Sequence, residues 1–426
     1  MTTSNSISAA PDSLGHAAFD MLRQLSAISE SDAFLCRRYL TPEHARANAL
    51  VGQWMRDAGL EVSVDPLGNL IGRTHGGNTN GPTLSLGSHL DTVRDAGRYD
   101  GALGVLLPIA CLNACRDAGV KLPFNVEIIG FGDEEGVRFG STLIGSKGMA
   151  GNLDASVLDV NDVDGTSLGE ALEAFGLPKA NALRAKRRPE DVSAFLEVHI
   201  EQGPVLESEN LAVGVVTAIA GASRYAIEVT GLAGHAGTVP MSLRQDALTG
   251  AAEMVLAAET LANEHDDLVA TAGKLEVANG AVNVIPGSVT FTIDVRSGVD
   301  QIREEAIETL RSKFEDIATR RGIQAGWSKL HENSAATCDA ALSEQLANAI
   351  SATGRPVRHL PSGAGHDAMA MAELAPAAML FVRCEGGISH HPDEDMTVED
   401  AQAAGEVLWT FLQTFDVQSL NADGAN

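Results

Sequence analysis

Histidine and carboxylate side chains follow the predicted buried strands of this chain in an arrangement that could hold metal ions. They are His89 and Asp91 after one strand, Asp100 in the next loop, Glu134 and Glu135 after a second strand, His199 in a third and His390 after the last. Side chains at the carboxyl ends of parallel strands meet in the crevice where open α/β sheets bind ligands. Carboxylates converging there would repel one another unless cations balanced them. The pattern therefore predicts a metal site.

These residues match the needs of a pair of divalent ions, which lie about 3.5–4 Å apart around a bridging carboxylate and keep a position for water. The predicted ligands are His89, Asp100 as the bridge, Glu135, His199 and His390. Asp91 is expected to orient His89 by accepting its other ring proton. Glu134 is then free to take a proton from the attacking water and deliver it to the leaving nitrogen. Mixed histidine and carboxylate ligands suit zinc and manganese alike.

Alternating strands and helices are predicted to position this site. Apolar runs indicate buried strands at residues 83–87, 125–132, 194–200 and 377–382. Helices are expected from 14 to 28 and, with Thr41 as N-cap and Pro42 in the first turn, from 42 to about 58. Strands joined by helices imply an α/β fold with a largely parallel sheet covered on both faces.

The segment from 222 to 332 reads as a separate α+β domain inserted into the first. Its predicted order is strand (225–230), helix (242–264), strand (269–277), strand (288–295), helix (301–320) and strand (323–330), which is the split β-α-β-β-α-β arrangement. Ser242 and Gln245 form a capping-box pattern at the first helix. We therefore expect a discontinuous catalytic domain, 1–221 with 333–426, and hinges near 221 and 331–334.

Composition and charge exclude several classes of function. The chain has 426 residues, with 57 acidic and 30 basic side chains, which gives a formal charge of −27. Nucleic acids and anionic membranes require a basic face, so neither is an expected partner. No window approaches the ~18 apolar residues of a membrane helix, and the first residues do not resemble a signal peptide. The five cysteines are too few and scattered for a disulfide framework, so a cytoplasmic protein with reduced thiols is expected.

The motifs around these residues resemble one family, the M20 dinuclear metallohydrolases, and within it the amidohydrolases that cleave carbamoyl (ureido) groups. The resemblance spans nearly the whole chain and is carried by GSHLDTV (87–93), YDGALGV (99–105), DEEG (133–136), HIEQGP (199–204), GHAGTVPM (234–241), NVIPG (283–287), DVRS (294–297) and GISHHPDE (387–394). Family peptidases commonly carry a carboxylate where this chain has His199. In the family the histidine after Gly-x-Ser is the ligand, which favours His390 over His391.

The resemblance implies roles for further residues. The inserted domain would close over the site and form a homodimer contact. His235 would polarise the scissile carbonyl, and Asn283 and Arg296 would hold the substrate carboxylate, part of it across the dimer. An arginine fork is the usual partner of a carboxylate, and His and Asn donors can stabilise an oxyanion. Gln202 and His366 are expected to contact the substrate as well.

The substrate implied is a small anionic ureido compound. The stretch 92–100 (TVRDAGRYD) is similar to allantoate amidohydrolases, which release ureidoglycine, ammonia and carbon dioxide in purine nitrogen recovery. That similarity also favours manganese over zinc. The alternatives are an N-carbamoyl-L-amino-acid hydrolase or β-ureidopropionase-like activity, an M20 aminopeptidase, and a binding protein of the same fold that has lost catalysis.

Overall fold

The computed structural model describes residues 8–74 and 81–421. The helices are α1 (Leu14–Ser26), α2 (Pro42–Asp57), α3 (Ala102–Asp117), α4 (Ile144–Ala150), α5 (Leu168–Phe175), α6 (Val205–Ser208), α7 (Ala247–Asn263), α8 (Asp300–Arg321), α9 (Ala340–Ala352), α10 (Asp367–Met371) and α11 (Val398–Thr414). The strands are β1 (Leu60–Val64), β2 (Leu70–Thr74), β3 (Thr83–His89), β4 (Asn125–Phe131), β5 (Ala194–Ile200), β6 (Val213–Ile219), β7 (Gly221–Thr230), β8 (Gly234–His235), β9 (Val269–Thr271), β10 (Leu275–Val277), β11 (Val284–Ile285), β12 (Ser288–Ser297), β13 (Gln324–Asn333), β14 (Ala336–Thr337), β15 (His359–Ser362) and β16 (Ala377–Val382).

The chain separates into two compact units. The first unit contains the residues up to Thr217, then Cys338–Leu360 and the residues from Gly365 onward. The inserted unit contains Ala218–Thr337 and the short segment Pro361–Ala364. These bounds lie close to the expected insertion, 222–332. The roles given to that insertion, as a lid and a dimer contact, stay predictions.

The first unit is built on a mixed sheet whose centre is parallel. Its strand order includes β1-β2-β4-β3-β5-β16-β6. Strand β3 pairs in parallel with β4 and β5, and β5 pairs in parallel with β16. The flanking pairs β1–β2, β2–β4 and β16–β6 are antiparallel, so the α/β prediction is confirmed and the parallel part is limited to the central strands.

Burial explains the apolar runs that the sequence shows. All residues of β3, β4, β5 and β16 are buried, as expected for strands covered on both faces. Helix α3 contacts α1, α11 and the strands β3, β4 and β5, so it is apolar around most of its circumference. Thr41 caps α2 as predicted, since its hydroxyl accepts from the His44 N–H. Among the described residues, no helix is both long and apolar enough to cross a membrane.

The inserted unit has its own sheet and core. The sheet follows the order β10-β12-β7-β13, with β9 also beside β12. Helices α7 and α8 pack against it through Met254, Leu310 and Phe314, which share a core with Ile227 and Phe291. A separate ribbon pairs β8 with β11.

Two local predictions in this unit were wrong. Helix α7 begins at Ala247, because the Asp246 carboxylate caps it by accepting from Leu248 and Thr249, while Ser242 lies in a preceding 3-10 turn. The predicted strand 269–277 is two strands, β9 and β10, which pair with different halves of β12. The chain breaks the ladder around Gly273, and glycine is a weak strand former.

Candidate metal centre

Three histidines surround the carboxylate of Asp100 in the first unit. The Oδ1 atom of Asp100 lies 3.3 Å from His89 Nε2 and 3.1 Å from His199 Nε2. Its Oδ2 atom lies 3.3 Å from His390 Nε2, and that nitrogen lies 3.6 Å from Glu135 Oε2. All five predicted ligands therefore meet, and the two oxygens of Asp100 face different ligand groups.

The parallel strands place these side chains at one edge of the sheet. His89 is the last residue of β3, and His199 is the penultimate residue of β5. Glu135 follows the end of β4, which pairs in parallel with β3 so that His89 is opposite Phe131. His390 has a left-handed backbone conformation, with φ of 56°, in the loop after β16.

Backbone carbonyls orient two of the histidine rings. His89 Nδ1 lies 3.0 Å from the carbonyl oxygen of Asp91, and His199 Nδ1 lies 2.8 Å from that of Ile200. A carbonyl can only accept, so each Nδ1 carries a proton and each Nε2 is the nitrogen that faces Asp100, with a lone pair that becomes available once any proton there is lost. Both Nε2 atoms are thus prepared to bind a cation.

Asp91 contacts the His89 ring more closely through its backbone than through its side chain, and its predicted role in orienting that ring stays a prediction. Its carboxylate is 3.8 Å from His89 Nδ1, whereas the Asp91 carbonyl oxygen makes the contact with the ring. The carboxylate oxygens instead accept from the backbone N–H groups of Glu134 (3.2 Å) and Glu135 (3.3 Å). Asp133 has a φ of 60°, and this turn directs both N–H groups toward Asp91. Asp91 therefore supports the loop that carries the two glutamates.

The electrostatics of the cluster reflect burial and close charges. Burial raises the pKa of Asp100, but hydrogen bonds from the three histidines offset it and hold that pKa well below its ordinary value. The hydrogen bond to Asp100 raises the pKa of His390 to about 9. Burial, with the Asp100 charge, raises the pKa of Glu135 to about 7. Burial also raises the pKa of Glu134 well above its ordinary value, which suits a general base.

The donor set fits two divalent ions. One group of possible ligands is His89, Asp100 and His199, and a second is Asp100, Glu135 and His390; within each group the ligand atoms lie within 4.8 Å of one another. The two groups share Asp100, as a bridging carboxylate requires. Three protein ligands for each ion leave room for water or substrate. His391 is more than half exposed, and its ring nitrogen faces the Asp393 backbone instead.

Gln202 and His366 lie beside this cluster. The Gln202 amide nitrogen donates to Asp100 Oδ2 at 2.9 Å and to Ser389 Oγ at 3.1 Å. His366 is buried with its ring centroid 4.5 Å from that of His199, and burial lowers its pKa. Both are therefore in place to influence the ligands, while their substrate contacts stay predictions.

The other predicted substrate residues belong to the inserted unit. His235 in β8 is opposite Val284 in β11, and the Asn283 carbonyl accepts from the Ala236 N–H. The Gly237 N–H donates to His235 Nδ1 at 3.1 Å, which leaves Nε2 as the protonated nitrogen and a hydrogen-bond donor.

Arg296 already has protein partners. Asp294 accepts from its Nε at 3.1 Å and from its Nη2 at 2.9 Å, and the Gly363 carbonyl accepts from Nη1 at 2.7 Å. One edge of the guanidinium fork is thus occupied by a carboxylate. A substrate carboxylate would have only the remaining Nη hydrogens.

The family of this chain follows from a comparison with known proteins. Residues 85–414 match Peptidase family M20/M25/M40. The chain belongs to this family. Among its M20 relatives, an allantoate deiminase from Arabidopsis thaliana is 41% identical over 92% of this chain and 81% of its own length.

Further M20 relatives act on carbamoyl compounds by name. An N-carbamoyl-L-amino acid amidohydrolase from Geobacillus stearothermophilus is 39% identical over 88% of this chain and 91% of its own length. The crystal structure of an amidase of the hydantoinase/carbamoylase family from Burkholderia multivorans matches with a TM-score of 0.89 and 33% identity, covering 95% of this chain and 98% of that one. The fold and the family resemblance predicted from the motifs are confirmed.

Three residues around this M20 site had no predicted role. Glu197, two residues before His199 in β5, accepts from Ser88 Oγ at 2.7 Å beneath the ligands. Ser389 and Glu394 contact the loop that carries Asp100. Ser389 and Glu394 lie in the same motif as His390, which was the available signal. Their partners, however, lie almost 300 residues earlier in the chain.

Proposed function

We propose that this protein is a dimetal amidohydrolase that hydrolyses the ureido C–N bond of allantoate to ureidoglycine, ammonia and carbon dioxide. The observation that carries the proposal is the pair of ligand groups joined by Asp100, in a chain 41% identical to an allantoate deiminase. Water adds to the ureido carbonyl and the bond to the ureidoglycine nitrogen breaks. The carbonyl carbon and the terminal nitrogen then leave as carbon dioxide and ammonia.

The two ions would be held by His89 and His199 on one side, by Glu135 and His390 on the other, and by Asp100 between them. When bound, such ions polarise a carbonyl and lower the pKa of the attacking water. We expect manganese, with zinc as the alternative, because these ligands suit both and the allantoate branch of the family favours manganese.

Glu134 would transfer the proton in this reaction. Glu134 is 9% exposed, and the Asp91 carboxylate accepts from its backbone N–H. A carboxylate with a raised pKa accepts a proton from water and can return it to the departing nitrogen near neutral pH. His235, protonated on Nε2, would donate to the oxyanion. Arg296 and Asn283 would bind the substrate carboxylate, with Gln202 and His366 near the ureido end.

A second candidate is an N-carbamoyl-L-amino-acid hydrolase. The 39% identity to such an enzyme supports it, since that value is close to the identity with the allantoate deiminase. Both reactions cleave a carbamoyl group in a substrate that bears a carboxylate, so the same catalytic residues serve either one. We favour allantoate because the stretch 92–100 resembles the allantoate enzymes.

We also propose where this enzyme acts and how its subunits assemble. We place the enzyme in purine nitrogen recovery in the cytoplasm, where its five buried free cysteines would stay reduced. We also propose a homodimer through the inserted unit. Strand β13 supports this, since among the described residues it pairs with β7 on one edge and ends the sheet on the other.

Ammonia release tests the substrate. Manganese-loaded protein is expected to hydrolyse allantoate with kcat/KM at least about tenfold above that for N-carbamoyl-L-amino acids. Faster turnover of the carbamoyl-amino acids would favour the second candidate. Activity on dipeptides without activity on ureido compounds would instead indicate an aminopeptidase.

A Glu134→Gln variant tests the assigned base in the same assay. It removes the proton acceptor and keeps the size of the side chain, so kcat is expected to fall by about 10²–10⁴-fold. The metal content should stay equal to that of wild type, because Glu134 is not an assigned ligand. A variant as active as wild type would remove Glu134 from the mechanism.

A further inference from the structure

Glu394 joins two loops that carry metal ligands but are far apart in sequence. Its side chain is 3% exposed. The Oε1 atom accepts from the backbone N–H groups of Tyr99 at 2.9 Å and of Asp100 at 3.1 Å. The Glu394 N–H donates to the carbonyl of His391, which closes the turn after His390. One side chain thus holds the backbone of Asp100 against the turn that presents His390.

The second oxygen of Glu394 extends this connection to the Asp100 side chain. Oε2 lies 3.0 Å from Ser389 Oγ, and that hydroxyl lies 2.9 Å from Asp100 Oδ2. A hydroxyl has one hydrogen, so it can donate fully to only one of the two carboxylates. Gln202 donates to the same hydroxyl and to the same Asp100 oxygen. The orientation of the Asp100 carboxylate therefore depends on where Glu394 holds Ser389.

The loop of Asp100 is shaped to receive this carboxylate. A Cβ added to Gly97 would lie 2.2 Å from Glu394 Cδ, so only glycine leaves the space that the carboxyl group fills. The donating N–H groups of Tyr99 and Asp100 lie just before α3, whose positive N-terminal end favours an anion. The neighbouring Tyr99 hydroxyl donates to Asp395 at 2.7 Å, which fastens the same two loops a second time.

We propose that Glu394 is a positioning residue that sets the spacing of the two ion sites by fixing Asp100 relative to His390. The inference rests on the dimetal part of the proposed function and is independent of the substrate. Asp100 serves both ions, so a shift of its carboxylate disturbs both ligand groups at once. Residues that orient ligands typically change metal affinity by about 10–100-fold when they are removed.

A calorimetric titration of the metal-stripped full-length protein with Mn²⁺ tests this role, because it measures the Mn²⁺ affinity directly. Glu394→Ala should lower the affinity by about 10–100-fold. Glu394→Gln should stay within about threefold of wild type, because its amide oxygen can still accept from both N–H groups and its NH₂ group can donate to Ser389. Gly97→Ala should also lower the Mn²⁺ affinity. Its added methyl group would displace the Glu394 carboxyl group without changing the chemistry of that group.

Asp400→Ala provides the matched control for a buried carboxylate. Asp400 is 2% exposed and pairs with Arg383 at 2.7 Å, and it accepts from Thr397 at 2.6 Å. Its loss should lower the unfolding temperature and leave Mn²⁺ affinity unchanged. If Glu394→Ala behaved in the same way, Glu394 would be merely structural and the inference would be overturned.

Failure of the inference is distinguishable from failure of the proposed function. Wild type that binds two Mn²⁺ ions per chain but does not hydrolyse allantoate contradicts only the substrate. Wild type that binds fewer than two ions overturns the dimetal site and the role of Glu394 with it.

Discussion

At the scale of single residues, hydrogen bonds link the histidines to the carboxylate of Asp100, and the same groups would bind the cations. Asp100 receives hydrogen bonds from His89, His199 and His390, so the proton on each ring balances its charge. The Nε2 atoms that face Asp100 are also the ligand atoms for a metal. A metal ion must therefore displace these protons when it binds, so its affinity should depend on pH.

We predict that Mn²⁺ affinity rises with pH between about 7 and about 9. Burial raises the pKa of Glu135 to about 7, and the hydrogen bond to Asp100 raises the pKa of His390 to about 9. Below those values each group holds a proton that the ion must displace, and above them the ligands are already deprotonated. Calorimetry in buffers of different ionisation enthalpy should show proton release at pH 7 that declines toward pH 9.

The neighbouring histidine gives a control for that experiment. His391 is exposed and directs its ring to the backbone of Asp393, so His391→Gln should leave the pH dependence unchanged. An affinity that did not vary with pH in wild type would contradict the pKa values given to Glu135 and His390.

At the scale of elements, periodicity and strand ends account for what the sequence could predict. The fully buried strands β3, β4 and β5 appear as apolar runs, and their ends locate His89, Glu135 and His199. Local chemistry also predicts Thr41 as the cap of α2. These features depend on residues close together in the chain, which is why sequence alone was sufficient.

Features that depend on backbone turns or distant pairs were missed. The carboxylate of Asp91 binds the N–H groups of Glu134 and Glu135 only because Asp133 takes a left-handed conformation. The start of α7 was misplaced because the cap is the Asp246 carboxylate and not the predicted Ser242. No local sequence pattern excluded a helix between these two residues. Glu394 was missed because its partners lie across the whole fold.

Arg37 links α1 to the strand end that carries His89. It is 2% exposed, and it donates to the carbonyls of Leu90 at 2.7 Å, Ile28 at 3.1 Å and Leu25 at 3.2 Å. Arg37→Met should lower the free energy of unfolding by about 3 kcal/mol, because buried carbonyls would lose a charged donor. Urea denaturation followed by circular dichroism measures this loss.

An exposed arginine provides the comparison for Arg37. Arg116 pairs with Asp117 on the surface of α3, where both side chains are more than half exposed. Arg116→Met should change stability by no more than about 0.5 kcal/mol. Equal losses in the two variants would show that the carbonyl contacts of Arg37 contribute nothing specific.

At the scale of the whole molecule, the net charge constrains how substrate is recognised. A formal charge of −27 repels a small carboxylate substrate and opposes binding of nucleic acid. Positive potential must come from bound ions and from a few cations such as Arg296, whose charge is partly balanced by Asp294. Substrate affinity should therefore depend on complete metal loading.

Assembly is the remaining property at this scale. Strand β13 is ten residues long, and Leu330 within it is 59% exposed. An open edge of this length is a ready template for pairing with another chain. A two-fold axis beside such an edge would join identical strands and make the interface self-complementary. The proposed dimer therefore predicts that a charge at this edge separates the subunits.

Leu330→Lys should convert a dimer of twice the 44.5 kDa chain mass into a monomer, as measured by light scattering after gel filtration. If part of the substrate site comes from the second subunit, this monomer should still bind two Mn²⁺ ions but lose most of its activity. Val163→Lys, at a 91% exposed valine of the first unit, should remain dimeric and active. A fully active Leu330→Lys monomer would show that each chain completes its own site, and a variant that stayed dimeric would move the interface away from β13.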